Sequence, residues 1–568
     1  MGALTDTGHE AGVVSRALRT VQTLATEVVE QIAIENGVCL YPIPMRVTDT
    51  QSSAAEIVQL PCGATLESKC PPCARRARAL RAVQCRQGWH LESEPVRDPA
   101  AATDDQRDLV MVRAEWEGWR AEAAALGEST EAIDRAIADL DEAIEGAGLR
   151  GDVRGRAGAV ARKRSTRRRQ DAPDLPRRVM RRTTLGQMFT GSAGRAFRPS
   201  MFITLTLPSY GRVRNGVPVD PAAYDYRRAA RDALHFGKLV DRFVQNLRRV
   251  AGFDAQYFAS VEPQRRLAVH LHMAVRGTVS RADLRQIVAA TYHQVWWPSC
   301  DEVRFSGDRL PAWVASEDGA ALDGDLEGAG AYVDPCTGEV LPSWDEALDR
   351  LDADDEAAPL HVVRFGDQMD MQGVLAGTPD ADQRIRYLAK YLTKSLGGGI
   401  GAEDHERAAH AARLVEALRY EPCSPRCANW LRYGVQPKDA KPGMVPGRCR
   451  GKAHKPENLG YGGRRVLASR KWSGRSLREH RQERRAWVLE VLGLAETGDG
   501  GREVGRYLWR PVRAGDTSLP TRRVRLLREV ARAQAWRAHL AELLARANDP
   551  PPMSESSLSG NVDVLIRG

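Results

Sequence analysis

Apolar residues recur every three or four positions in several stretches of the chain. Val14, Leu18, Val21, Ala25, Val28 and Ile32 predict a helix over residues 11–34. In an acidic, alanine-rich stretch, 104–148, Ile133, Ile137, Leu140 and Ile144 are spaced four, three, four, which predicts a helical hairpin or short coiled coil. Leu234, Leu239, Phe243 and Leu247 stand among basic residues and predict a long helix over 222–251. Residues 280–295 read as helix behind a Ser280 cap. The chain ends in arginine-rich helix carrying Leu526, Leu527, Val530, Leu540, Leu543 and Leu544.

Elsewhere the period is two. Ile203, Leu205 and Leu207 alternate with Thr204 and Thr206, a half-buried strand stopped by Pro208 and Gly211. Tyr257–Glu262 and Leu267–Gly277 predict a hairpin around Pro263-Gln-Arg-Arg266, and His361–Phe365 another strand. Within the hairpin, V-H-L-H-M-A-V (269–275) places His270 and His272 on one face of a strand, where two neutral imidazoles can hold a divalent cation. Glu262 is the expected third ligand. With a three-residue loop, 264–266, Glu262 pairs with residue 268 and faces the histidines; with a two-residue loop it faces away.

Ten cysteines in 568 residues fit thiolate ligands in a reducing compartment better than a disulfide framework. Cys62, Cys70, Cys73 and Cys85 contain a C-x-x-C knuckle and predict structural Zn²⁺, with His90 five residues beyond. Cys423, Cys427, Cys449 and His454 predict a second zinc site. Arg75, Arg76 and Arg78 follow the knuckle on a helix directed at a phosphate backbone.

Charge changes the picture further. Between Glu317 and Glu356 fourteen acids face one base, so a net charge of +9 conceals +22 on the rest of the chain. Localised positive charge of that size favours nucleic acid, because phosphate contacts release condensed counterions. Arg167, Arg168 and Arg169 lie in the densest basic run, a flexible arm expected to touch DNA. The acidic stretch is too polar for a core and is expected to be a disordered excursion. No apolar run reaches the roughly 20 residues that span a membrane, and no secretory signal opens the sequence, so a cytoplasmic protein with no membrane partner is expected.

A helix over 382–396 would set Tyr387, Lys390, Tyr391 and Lys394 on one face. A phenol has a pKa near 10 and needs help to attack a phosphodiester at neutral pH, help that a divalent ion beside the phosphate can supply. Lys390 or Lys394 could neutralise phosphate charge. The stretches R-P-S-M-F-I-T-L-T-L-P-S-Y-G, V-E-P-Q-R-R-L-A-V-H-L-H and Y-L-A-K-Y-L-T-K resemble the three motifs of rolling-circle replication initiators of actinobacterial plasmids and integrative elements, within the HUH endonucleases. C-P-P-C-A, S-T-R-R-R-Q-D-A-P-D-L-P and N-L-G-Y-G-G-R-R-V-L resemble that family too, and the likeness covers most of 35–95 and 165–485.

This resemblance implies an α+β protein: a ferredoxin- or RRM-like core with a five-stranded antiparallel sheet, the histidines central, the tyrosine helix alongside, and Mg²⁺ or Mn²⁺ bound. It implies nicking of origin DNA, double- and single-stranded, through a 5′-phosphotyrosine, with host helicase and replication proteins as partners. The tyrosine pair also resembles two-tyrosine phage initiators, in which both act in turn. A zinc-dependent DNA-binding regulator without catalysis, or a relaxase or transposase, are the alternative readings. The expected organisation is an N-terminal segment (1–55), a zinc knuckle (56–100), a helical insertion (101–150), a basic linker (151–198), an endonuclease domain (199–400) with its acidic insertion (317–357), a second zinc segment (401–470) and a helical C-terminal region (471–568).

Overall fold

A computed structural model describes residues 25–89, 91–95, 102–146, 172, 174–192, 194, 196–315, 330–375, 378–390, 404–491, 507–512, 516 and 519–548. Helices and antiparallel sheets are mixed along the chain, so the fold is of mixed α and β type. Two units form, one from Met1–His90, Gly377–Gly399 and Arg475–Gly568, the other from Leu91–Ala376 and Ile400–Gly474. Among the described residues, no helix is long and apolar enough to cross a membrane.

The first unit draws on both ends of the chain. Strand Ile43–Asp49 pairs antiparallel with Ala55–Leu60 on one side and with Tyr507–Pro511 on the other. Helix Thr26–Glu35 buries Val29 and Ala33, and helix Arg522–Asn548 buries Leu526 and Val530, in one core with Val38 and Leu40. Each pair is four residues apart, so each helix offers a narrow apolar strip that the other covers. Segments expected as separate regions at 1–55, 56–100 and 471–568 therefore share one interior. The tyrosine helix Pro379–Lys390 belongs to this unit rather than to the sheet of the expected 199–400 domain. It packs on helix Pro71–Trp89, burying Ala381, Ile385, Leu388 and Ala389.

The second unit is built on a five-stranded antiparallel sheet. Its strands, in chain order, are β1 (Ser200–Thr206), β2 (Tyr257–Pro263), β3 (Val269–Val275), β4 (Met369–Val374) and β5 (Val466–Ala468), and their order across the sheet is β4-β1-β3-β2-β5. The histidine strand β3 is central, as the resemblance implies. Residues directly opposite one another share a face. One row runs Asp370, Thr204, His272, Ser260, Val466, and the row beside it contains Thr206, His270 and Glu262. Residues of the other parity, among them Ile203, Leu205, Leu271, Met273 and Val261, form an apolar buried face.

Helix Tyr226–Ala251 lies against β3 and buries Phe236, Leu239, Phe243 and Leu247. Asp225 caps its start by accepting from the Arg228 N–H, and Gly252 ends it at φ 69°, where a Cβ would meet Arg178 at 2.9 Å. The predicted helix over 280–295 stops at Ala290, although Ser280 does cap it. Tyr292–Val295 instead pairs with His361–Arg364, since this alternating, β-prone run has a strand to meet. Asp104–Leu126 and Glu131–Gly146 pack together as a helical hairpin.

The expectation of a disordered excursion fails where its residues are described. Gly330–Val333 pairs with Ala312–Ala315, and Ser343 and Glu346 cap helix Trp344–Ala353 reciprocally. Tyr332 and Leu341 pack with Leu431, and Trp344 with Trp430. Average composition hid these few apolar anchors, whose partners lie far downstream. Residues 316–329 are outside the described residues.

Candidate functional site

The hairpin between β2 and β3 decides where Glu262 points. Gln264 N–H donates to Ala268 O and Leu267 N–H to Gln264 O, closing a three-residue loop, 265–267. Leu267 takes the left-handed position at φ 64°, normally given to glycine in such loops. Arg266 pins the turn by donating to Leu207 O at 2.6 Å and Pro208 O at 2.7 Å. The loop is shifted one residue from the predicted 264–266, and Glu262 pairs with His270 rather than residue 268. Both pairings have the same parity, so the carboxylate shares the histidine face.

Glu262 Oε1 lies 3.1 Å from His270 Nε2 and 2.5 Å from His272 Nε2, and the two imidazole nitrogens are 2.8 Å apart. A metal–ligand bond of about 2.1 Å puts neighbouring ligand atoms about 3.0 Å apart; two of the three separations lie close to that and the third is shorter, so Glu262, His270 and His272 would hold a Mg²⁺- or Mn²⁺-sized ion.

Burial opposes charge at Glu262, but hydrogen bonds from His270 and His272 outweigh it and hold the carboxyl below its usual range. Burial also lowers the His270 pKa, partly offset by Glu262, which favours the neutral ligand form. His272 Nδ1 lies 2.9 Å from Thr204 Oγ1, and its ring stacks on Phe202 at 5.9 Å. On the same face Ser260 Oγ and His270 Nδ1 are buried without a hydrogen-bond partner among the described residues. Orphaned polar atoms beside three converging donors suit a site that takes a polar ligand.

Tyr387 is half-buried and Lys390 exposed at the end of Pro379–Lys390. Tyr391 and Lys394 lie outside the described residues, as do Arg167, Arg168, Arg169 and His90. Of the arginines expected to meet DNA, Arg75, Arg76 and Arg78 make contacts within their own unit. Arg75 donates to Ile34 O at 2.7 Å and Arg76 to Gly37 O at 2.6 Å, serving the carbonyls at the end of Thr26–Glu35, and Arg78 pairs with Glu67 at 3.5 Å.

The cysteines form two groups. Cys423, Cys427, Cys449 and His454 converge as predicted, their ligand atoms within 4.8 Å of one another. In the first unit Cys62, Cys70 and Cys73 converge with Cys39, not with Cys85. Cys85 sits on the same continuous helix as Cys73, Pro71–Trp89, and twelve residues of rise separate them by roughly 18 Å. Burial pushes its thiol pKa up, the state of an inert core cysteine. Spacing from Cys62 onwards concealed Cys39, which stands before a hairpin that folds the chain back on itself.

The family model described as replication initiator protein, pSAM2, matches residues 25–532. A replication initiator protein of Streptomyces ambofaciens is 27% identical over 280 residues, which cover 41% of this chain and 52% of the relative. The chain thus spans about half the length of that relative. No solved structure matches the chain.

Proposed function

Because the chain belongs to the pSAM2-type replication initiator family, we propose that it binds the origin of a plasmid or integrative element and nicks one strand to start and end rolling-circle replication. The observation that carries the nicking step is the convergence of Glu262, His270 and His272 on the polar face of the central sheet. These residues would hold Mg²⁺ or Mn²⁺, which polarises a phosphodiester and lowers the charge that an attacking oxygen meets.

The chain's residues do the rest. A tyrosine oxygen, Tyr387 or Tyr391, forms a bond to phosphorus while the bond from phosphorus to the 3′ oxygen breaks. The phenol proton is lost and the departing 3′ oxygen takes one up, leaving a 5′-phosphotyrosine and a free 3′-hydroxyl. One phosphate ester replaces another, so rejoining needs no outside energy source. Lys390 and Lys394 offset phosphate charge. Two tyrosines four residues apart would serve the two cleavages of one replication round in turn. Origin DNA, double- and single-stranded, is the substrate, and host helicase and replication proteins are its expected partners.

The experiment is cleavage of single-stranded origin DNA with Mn²⁺ by the full chain and by His270→Ala and His272→Ala. Both variants should lose cleavage and keep duplex binding, since affinity rests on dispersed basic residues. Normal cleavage by both variants would remove the metal from the scheme.

A further inference from the structure

We infer that the chain carries two structural zinc ions, one held by Cys39, Cys62, Cys70 and Cys73 and the other by Cys423, Cys427, Cys449 and His454. Ligand geometry supports both ions independently of DNA cleavage. Four ligands around zinc with Zn–S bonds of about 2.3 Å form a tetrahedron whose S···S edge is about 3.8 Å. In the first group Cys62 and Cys73 sulfurs are 3.8 Å apart and those of Cys70 and Cys39 3.9 Å. In the second, Cys423 and Cys449 sulfurs are 3.9 Å apart. A tetrahedral edge between sulfur and a nitrogen bound at about 2.05 Å comes to about 3.6 Å. Cys427 Sγ and His454 Nε2 are 3.6 Å apart. A disulfide needs about 2.05 Å, so none of these sulfur pairs is bonded.

The surroundings match the same chemistry. Backbone N–H groups aim at the sulfurs: Cys62 N at Cys39 Sγ, Leu40 N at Cys70 Sγ and Gly451 N at Cys449 Sγ. His454 Nδ1 lies 3.1 Å from Leu418 O, and a proton donated there leaves Nε2 as the ligand atom. At Gly451 a Cβ would stand 3.0 Å from Cys423 Sγ and 3.3 Å from Cys449 Sγ, so a side chain there would crowd both sulfurs. All-sulfur and S₃N tetrahedra select zinc over hard cations, and the thiol protons leave to solvent on binding.

The sites also have a structural office. Cys39, Cys70 and Cys73 belong to the core that receives Leu526 and Val530 from the C-terminal helix. Cys423, Cys427 and Cys449 adjoin the cluster of Trp344, Trp430 and Tyr433. Each ion would stand where a packed core meets a loop with little apolar surface of its own.

The test is the zinc content of the reduced, full-length chain after dialysis against mild chelator, alongside the absorption of the cobalt-substituted protein. Two zinc ions per chain and a strong sulfur-to-cobalt charge-transfer band are expected. Cys39→Ser should keep one zinc and lose a large share of the band, while Cys85→Ser keeps two and the full band. Wild-type protein without zinc overturns the inference. Loss of one zinc in Cys85→Ser, or two tightly held ions in Cys39→Ser, overturns the first donor set. Should Cys39→Ser fail to fold, the Cys85→Ser count decides the assignment unaided.

Discussion

Thr204 Oγ1 on β1 lies 2.9 Å from His272 Nδ1 on β3, directly across the sheet. If the ring donates its Nδ1 proton to the hydroxyl, Nε2 is left as a lone pair facing Glu262 and His270. Thr204 is then a positioning residue that acts through the imidazole. Thr204→Val should weaken Mn²⁺ binding, measured calorimetrically, by about tenfold to a hundredfold, and raised Mn²⁺ should restore cleavage. Thr204→Ser should bind nearly as the wild type. An unchanged Mn²⁺ affinity in Thr204→Val would show the hydroxyl to be incidental.

Glu262 supplies the negative charge of the triad. Glu262→Gln preserves shape and removes that charge, so Mn²⁺ affinity should fall at least tenfold, with cleavage following and duplex binding intact. Shortening the hairpin loop gives a register control: a one-residue deletion within 265–267 should turn Glu262 to the apolar face and abolish metal binding. Retained Mn²⁺ affinity in both variants would take Glu262 out of the site.

Acid should destabilise the second unit through buried neutral histidines. Burial, reinforced by His293, His361 and Arg231, lowers the His235 pKa to about 3, and its ring packs against Trp297 at 4.7 Å. The folded pKa lies below the unfolded value near 6.5, so the folded state binds fewer protons. The contribution is complete above that value and is lost as pH falls towards about 3, with a limiting slope of about 1.4 kcal/mol per pH unit. Thermal unfolding at pH 7.5 and 5.5 should therefore show a smaller acid-induced drop in His235→Gln than in wild type. Equal drops would mean that another group sets the dependence.

The acidic insertion separates into two parts. Trp344 packs against Trp430 with ring centroids 5.0 Å apart and the rings tilted by 56°, in the cluster that includes Cys427. Trp344→Ala should cost about 3–5 kcal/mol, read as a lowered unfolding midpoint. Deleting 316–329 should leave that midpoint and DNA cleavage unchanged, whereas deleting 317–357 should lower both. A 317–357 deletion with wild-type stability would make the packing immaterial.

Much of the sheet was legible because its signals are local. Alternation at 203–207 and 269–275 marks strands, and the parity of a short loop is enough to bring Glu262 to His270 even with the loop displaced by one residue. What escaped depends on contacts distant in sequence. Cys39 joins its site through a hairpin, and Leu526 reaches Val29 from the far end of the chain. Tyr332 and Trp344 are anchored by residues beyond the tyrosine helix. Cys85 is the instructive exception: a helix running on from Cys73 already separates the two by its rise. The carbonyls of Ile34 and Gly37 that Arg75 and Arg76 serve lie some forty residues upstream, so these contacts too were not legible from local spacing.

A tyrosine of the 387–394 stretch should become esterified to DNA. Trypsin cuts after Arg386, Lys390 and Lys394, so Tyr387 and Tyr391 fall on separate peptides, Tyr387–Lys390 and Tyr391–Lys394. The measurement is mass mapping of the denaturation-resistant adduct formed with Mn²⁺ and a single-stranded origin oligonucleotide labelled on the 3′ side of the nick. Label on both peptides is predicted, with Tyr387→Phe and Tyr391→Phe each confining it to the other peptide and the double variant forming none. No adduct in the wild type, or an adduct that survives the double substitution, would contradict tyrosine transesterification.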